Sequence, residues 1–78
     1  MIPYNALEEL PAGLQRTLPI QAQKIYQEAF NNAWEIYADK NKRGLASREE
    51  VSHRVAWSAV KRQYYKNLKN AWRRKEEV

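Results

Sequence analysis

The residues with the clearest capacity for chemistry are cations gathered near the carboxyl end of the chain. Seven basic side chains fall between positions 61 and 75: Lys61, Arg62, Lys66, Lys69, Arg73, Arg74 and Lys75. A cluster of this density attracts phosphates or carboxylates. Together with one cation further upstream and one interleaved aromatic residue, the candidate partner-binding set is Arg54, Lys61, Arg62, Tyr65, Lys66, Lys69, Arg73, Arg74 and Lys75.

The charge of the whole chain is distributed unevenly. The net charge is +5, but residues 1–39 hold two basic and five acidic residues, whereas residues 40–78 hold twelve basic and four acidic residues. The first half therefore carries −3 and the second half +8. A basic segment of this kind is typical of proteins with an anionic partner.

Several partners are compatible with these residues. An acidic protein surface would pair with the cations, and nucleic acid would do so too if Tyr65 and Trp72 stacked on its bases. A small apolar site that includes exposed Tyr4, Trp34 or Tyr65 is a third possibility. A solvated basic face whose aromatic rings point inward explains the same residues without any partner. No helix-turn-helix, zinc-finger or RNA-binding motif accompanies the basic cluster.

Catalysis and metal binding lack the residues that they need. His53 is the sole histidine and the chain has no cysteine, so His53 with Glu49 one turn before it is more simply a contact on a helix flank beside Trp57. The carboxylate pairs are adjacent in sequence and point in different directions on a helix. We therefore expect a non-enzymatic protein with no metal and no cofactor.

Length and composition predict one small domain over residues 1–78, with a basic tail over about 73–78. Without cysteine, the core must depend on three Trp, five Tyr and one Phe, which we expect to form most of it. No stretch approaches the ~20 apolar residues of a membrane span, and acidic Glu8 and Glu9 are unlike a signal peptide. The expected location is the cytoplasm.

The apolar spacing predicts two long helices. The first runs from Pro19 to about Asp39, and the second begins at Ser47, where Ser47-Arg48-Glu49-Glu50 matches a capping box and Glu50 can pair with Arg54. Pro11 can open a short helix before them. After Tyr65 we expect a turn, an anchoring Trp72 and a solvated basic end.

Many of these positions together resemble the ChaB family. The resemblance spans Ile2 to about Trp72 and rests on the order and spacing of Pro3-Tyr4, Leu10-Pro11, Leu18-Pro19, Ala22-Gln23, Ile25–Asn31, Ala33-Trp34, Ser47–Glu50 and Val55–Lys61 with Tyr64. It implies a mainly α-helical domain of three helices with a short two-stranded sheet. In that sheet, the N-terminal stretch around Ile2–Tyr4 would pair with the C-terminal stretch around Ala71–Arg73.

The same resemblance implies a cytoplasmic regulator of a membrane cation antiporter of the ChaA type, and relatives in insect viruses are described as DNA-binding. It supplies no catalytic or ligand residues to carry over. The segment Asn67–Asn70 departs from the more acidic, glycine-containing pattern of the family. Because this departure makes the second half more basic, it favours an anionic partner.

Overall fold

Two long helices form the centre of the computed structural model, which describes residues 2–75. Helix α2 spans Ile20–Ile36 and helix α4 spans Arg48–Gln63, and they contact each other more extensively than any other pair of elements. Helix α2 begins one residue after the predicted Pro19, which occupies the N-cap position with an extended ψ of 158°. Helix α2 ends three residues before the predicted Asp39. None of the helices among the described residues has the length and apolar character to cross a membrane.

Ser47 caps α4 as predicted. Its Oγ accepts a hydrogen bond from the backbone N–H of Glu50 at 3.0 Å, which satisfies one of the free donors at the helix start. The carboxylate of Glu50 lies 3.4 Å from the guanidinium of Arg54, so the predicted surface ion pair forms as well. Because the Glu50 side chain contacts Arg54, the reciprocal bond from its carboxylate to the backbone N–H of Ser47 does not form among the described residues, so only half of the predicted capping box is present.

Short elements surround this pair of helices. The N-terminal segment contains a single 3-10 turn, Leu7–Glu9, and helix α1, Ala12–Thr17, which starts one residue after Pro11, the predicted first position. The one-turn helix α3, Lys40–Arg43, joins α2 to α4. The prolines at positions 3, 11 and 19 explain why the first segment contains only short pieces. Leu10, Leu14 and Leu18 turn inward from it and belong to the core.

The aromatic residues divide between the core and its margin. Tyr26, Phe30 and Tyr64 are buried, whereas Trp34, Trp57 and Trp72 are half-buried and pack against the core from outside. The remaining core consists of aliphatic and small residues, namely Leu10, Leu14, Leu18, Ala22, Ala33, Val51, Ala56 and Val60. The core is therefore less aromatic than composition predicts, because large amphipathic rings tend to leave one edge in water.

The mainly helical fold with a short two-stranded sheet is confirmed, but the predicted pairing of the strands is wrong. Strand β1, Tyr64–Lys66, pairs antiparallel with strand β2, Trp72–Arg74, and Tyr65 lies opposite Arg73. The sheet is thus a hairpin that directly follows α4, and Ile2–Tyr4 take no part in it. A short hairpin loop costs much less closure entropy than pairing the two ends of the chain.

The turn of this hairpin is built by two asparagines. The Oδ1 of Asn67 accepts hydrogen bonds from the backbone N–H groups of Lys69 and Ala71, both at 2.9 Å. Asn70 takes a φ of 64°, in the left-handed region that asparagine tolerates better than most residues. The segment Asn67–Asn70 therefore contains the residue types that such a turn needs.

The N-terminal segment, which was predicted to form a strand, instead hydrogen-bonds through its backbone to side-chain amides of α2. Asn31 accepts a hydrogen bond from the backbone N–H of Tyr4 at 3.2 Å and donates one to its carbonyl oxygen at 2.8 Å. Gln27 donates a further bond to the same oxygen at 3.1 Å. Because α2 already satisfies the polar groups of Tyr4, the N-terminal segment docks on a helix and leaves the hairpin to close on itself.

Ser52 is fully buried in α4, and its Oγ has no hydrogen-bond partner among residues 2–75. A buried hydroxyl without a partner is unfavourable. We therefore expect Ser52→Ala to leave the free energy of unfolding unchanged or to raise it by up to about 1 kcal/mol. The measurement is urea denaturation followed by tryptophan fluorescence.

The matched control is Ser47→Ala in the same helix. There the hydroxyl caps the helix, and its loss should lower the free energy of unfolding by about 1 kcal/mol. If Ser52→Ala destabilised the protein as much as Ser47→Ala does, the Ser52 hydroxyl would have a stabilising role that contradicts this prediction.

Candidate partner-binding surface

Seven of the nine candidate residues are cations that lie at the end of α4 and on the hairpin. Each is exposed, and among residues 2–75 none lies within ion-pair distance of a carboxylate. We call this set the basic surface, and it consists of Lys61, Arg62, Lys66, Lys69, Arg73, Arg74 and Lys75. Residues 76–78 of the predicted basic tail lie outside the described residues.

The hairpin separates an anchoring face from a free face. Partners in an antiparallel pair share one face, so Tyr65 and Arg73 lie together on the face opposite Tyr64. Tyr64 is buried, and the ring centroid of Trp72 lies 5.5 Å from that of Trp57. Trp72 is therefore an anchor, as predicted, whereas Tyr65 is 47% exposed and adds an aromatic side chain to the basic surface.

Arg54 is set apart from the other candidates. It precedes Arg62 by eight residues, or roughly 12 Å along the helix at 1.5 Å per residue. Its guanidinium already contacts Glu50, although both side chains remain exposed. Arg54 and Arg62 flank a shallow groove of about 450 Å³ between α2 and α4, which connects Arg54 to the edge of the basic surface.

Two further arginines hold the connection between the long helices. Arg43 donates hydrogen bonds to the carbonyl oxygens of Tyr37 at 2.8 Å and Ala38 at 3.1 Å, beyond the end of α2. Arg48 donates a bond to the carbonyl oxygen of Trp34 at 2.7 Å, and its guanidinium carbon lies 4.2 Å from the centroid of the Trp34 ring. Both cations are therefore engaged within the fold.

A larger groove lies on the side of the molecule where the N-terminal segment faces the start of α4. Its volume is about 850 Å³, and its lining includes Tyr4, Leu14, Trp34, Glu49 and Trp57. Sequence reasoning named Tyr4 and Trp34 as possible docking residues but did not bring them together with Trp57. All three rings are half-exposed in the structure. Residue spacing alone could not show that segments so far apart in sequence form one groove.

The aromatic rings beneath this groove contact one another in series. Trp34 stacks on Phe30 at 6.1 Å between centroids, Phe30 on Tyr26 at 5.8 Å, and Tyr26 meets the edge of Trp57 at 5.8 Å. Such pairs add stability beyond the area that they bury. The series continues to Trp72, so the groove floor and the hairpin anchor are parts of one packed array.

His53 borders the groove as part of this array. Its Nδ1 lies 2.6 Å from the phenolic oxygen of Tyr26, and its ring centroid lies 6.2 Å from that of Trp57, which confirms the predicted flank contact. Within residues 2–75, no group of three His, Cys, Asp or Glu side chains could hold a metal ion. The arrangement can bind and orient a partner through rings and charges.

These features define a class of protein, a small helical domain with an open aromatic groove and a separate surface of exposed cations. Within that class, the chain belongs to the ChaB family, whose model, described as ChaB, matches residues 10–75. The family resemblance that the sequence indicated is thereby confirmed.

Known proteins of similar sequence extend over nearly the whole chain. Proteins of Escherichia coli and Shigella flexneri, both named "Putative cation transport regulator ChaB", are 48% identical over 75 residues, which cover 95% of this chain and 99% of theirs. The NMR solution structure of a protein with the same name superposes with a TM-score of 0.79 at 48% identity, covering 95% of this chain and all of the other. The fold described above is therefore that of a solved family member.

Tyr26 makes stability depend on pH in the alkaline range. Burial chiefly, with a contribution from the charge of Tyr4, raises the pKa of Tyr26 to about 12 from the ordinary 10.0. The folded state thus favours the neutral phenol. Its contribution to stability is complete below the unfolded pKa of 10.0 and is lost as the pH rises toward about 12.

We therefore expect the free energy of unfolding to fall across this alkaline interval in the unmodified protein, as measured by denaturation at a series of pH values. Tyr26→Phe should show a smaller fall, because it removes the titrating phenol, although it also removes the contact with His53. Equal slopes for the two proteins would show that Tyr26 does not titrate abnormally.

Proposed function

We propose that this chain is a non-enzymatic regulatory protein that acts by binding an acidic partner through the basic surface. The relatives' name suggests the setting, which is the regulation of cation transport. A partner that fits both the charge and the name is an acidic cytoplasmic loop of a membrane cation antiporter of the ChaA type. The protein would then work in the cytoplasm.

The observation that carries this proposal is that the cations of the basic surface have no carboxylate partners among residues 2–75. Lys61, Arg62 and the hairpin cations also lie close in sequence. Like charges held this close repel each other and raise the local potential, which an anionic surface relieves on binding. Such complementarity mainly accelerates association and selects the partner by charge.

The hairpin supports the proposal because it orients part of this charge. Strand pairing places Arg73 beside Tyr65 on the free face, and Trp72 holds the hairpin to α4 through Trp57. Lys75 extends this attachment, since its backbone N–H donates to the carbonyl oxygen of Gln63 at 2.8 Å. A surface fixed in this way loses less conformational entropy on binding than a flexible basic tail would.

A second candidate function is nucleic-acid binding through the same surface. The exposed ring of Tyr65 beside Arg73 favours it, because an aromatic side chain among cations can stack on a base. Trp72 contributes less than the sequence suggests, since its ring packs on Trp57. The two functions make different predictions for the dependence of binding on salt and on the chemistry of the partner.

The proposed function predicts the effect of reversing charge. The triple variant Arg62→Glu, Arg73→Glu and Arg74→Glu should bind synthetic peptides of the antiporter's acidic cytoplasmic loops more than about tenfold more weakly than the unmodified chain, a loss of about 1.4 kcal/mol. Fluorescence anisotropy of the labelled peptides provides the measurement. A matched control reverses two cations outside the surface, Arg16→Glu and Lys24→Glu, and should change affinity little.

The same titration with duplex DNA separates the alternatives. A nucleic-acid binder should lose about 0.9 log units of affinity per log unit of salt for each phosphate that it neutralises. Tight DNA binding with that salt dependence, together with no binding of the acidic peptides, would show that the partner is nucleic acid and not a protein. Peptide binding that survived the triple reversal would refute the role of the basic surface.

A further inference from the structure

The large groove between the N-terminal segment and α4 differs in chemistry from the basic surface. We call it the aromatic groove, and it encloses about 850 Å³ between Tyr4, Leu14, Trp34 and Trp57. Tyr26 and Phe30 form its buried floor. The three rings at its margin are half-buried, so a substantial aromatic surface remains open to solvent.

Three hydrogen-bond donors at the margin of the groove have no acceptor among residues 2–75. The indole N–H groups of Trp34 and Trp57 and the hydroxyl of Tyr4 make no hydrogen bond to any of residues 2–75. The helical backbone beneath them is paired within α2 and α4, and the sheet among the described residues lies in the hairpin. The groove therefore has no strand edge, and three side chains of its lining carry hydrogen-bond donors without an acceptor among residues 2–75.

Two carboxylates border the groove at the start of α4, while the guanidinium of Arg48 lies over the Trp34 ring at another point of its margin. The carboxylates are those of Glu49 and Glu50, and Glu49 has no ion-pair partner among residues 2–75, whereas Glu50 contacts Arg54. Glu49 also contributes, after burial, to raising the pKa of Tyr4, so its charge is felt across the groove mouth. The preferred ligand thus has an apolar surface, many hydrogen-bond acceptors and one positively charged group.

We propose that the aromatic groove binds an extended, proline-rich segment of a partner protein that carries an arginine or lysine next to its prolines. The prolines pack between the rings of Tyr4, Trp34 and Trp57, and the basic side chain faces Glu49. Polyproline II segments have free carbonyl groups and few N–H donors, which matches the unpaired indole and phenol donors. Their low conformational entropy also suits a shallow aromatic groove.

Other occupants fit these observations less well. A β-strand would need a free strand edge, which the groove does not offer. A helix presents few free carbonyl groups and would leave the donors of Trp34 and Trp57 unpaired beneath it. An acidic segment, the partner of the basic surface, would be repelled by Glu49.

The rings of Trp34 and Trp57 are fixed in position by packing contacts. Phe30 stacks on Trp34, and the guanidinium of Arg48 lies over the Trp34 ring at 4.2 Å. Trp57 is held between Tyr26 and Trp72. Because these contacts fix both indoles, little ordering remains to be done on binding. The groove shares none of the seven cations of the basic surface, so this inference stands apart from the proposed function.

The test is a titration of the full chain with a ten-residue synthetic peptide that contains two Pro-x-x-Pro repeats and one arginine beside them. Nitrogen-15 NMR spectra follow the indole N–H signals of the three tryptophans. We expect saturable shifts for Trp34 and Trp57, and about tenfold weaker binding for Glu49→Lys. Replacing the peptide arginine by glutamate should weaken binding to the unmodified chain similarly.

The matched control is Glu28→Lys, the same charge change at an exposed position of α2 outside the groove. Its affinity for the peptide should stay within roughly twofold of the unmodified chain. Three results would each overturn the inference: no saturable shift at peptide concentrations of about 1 mM, equal affinity for Glu49→Lys and Glu28→Lys, or shifts confined to the hairpin. None of these results bears on binding of acidic peptides by the basic surface.

Discussion

The packing of α2 against α4 is the interaction on which the rest of this structure depends. Three alanines of these helices, Ala22, Ala33 and Ala56, are almost completely buried, and such small side chains leave room for neighbouring elements to pack closely. Tyr26 and Phe30 fill the space beside them and support the outer rings. A chain of 78 residues without cysteine has few other means of stabilisation, so we expect this interface to supply most of its stability.

Helix α4 also separates the charges that distinguish the two surfaces. Glu49 and Glu50 occupy its first turn, and Lys61 and Arg62 its last. Each sign is favourable at its own end of the helix macrodipole. The carboxylates that border the aromatic groove and the edge of the basic surface thus lie at opposite ends of one rigid element. The two binding sites that we propose are therefore separated by the length of α4.

The aromatic array connects these two surfaces physically. Trp34, Phe30, Tyr26, Trp57 and Trp72 contact one another in order from the groove to the hairpin. Trp57 therefore serves both the margin of the groove and the attachment of the hairpin. A ring with two such roles must stay half-buried, because full burial would close the groove and full exposure would release Trp72.

Local sequence determined much of this protein. Helical periodicity, Pro19 and Ser47 were enough to predict both long helices, and adjacent residue types predicted the Glu50–Arg54 pair, because these features depend on contacts within one or two turns. Residue order and spacing were likewise enough to indicate the ChaB family, which the family match confirms. The cations of the basic surface could be identified in the same way, since they are close in sequence.

Tertiary structure alone decided the features that depend on residues far apart in the chain. Asn31 and Gln27 hydrogen-bond to the backbone N–H and carbonyl groups of Tyr4. The sheet therefore forms within the hairpin and not between the chain ends. The aromatic groove combines Tyr4, Trp34 and Trp57 from three segments. Periodicity reports which side of a helix is apolar, but the partner of that side depends on the balance of loop entropy and hydrogen bonding across the whole fold.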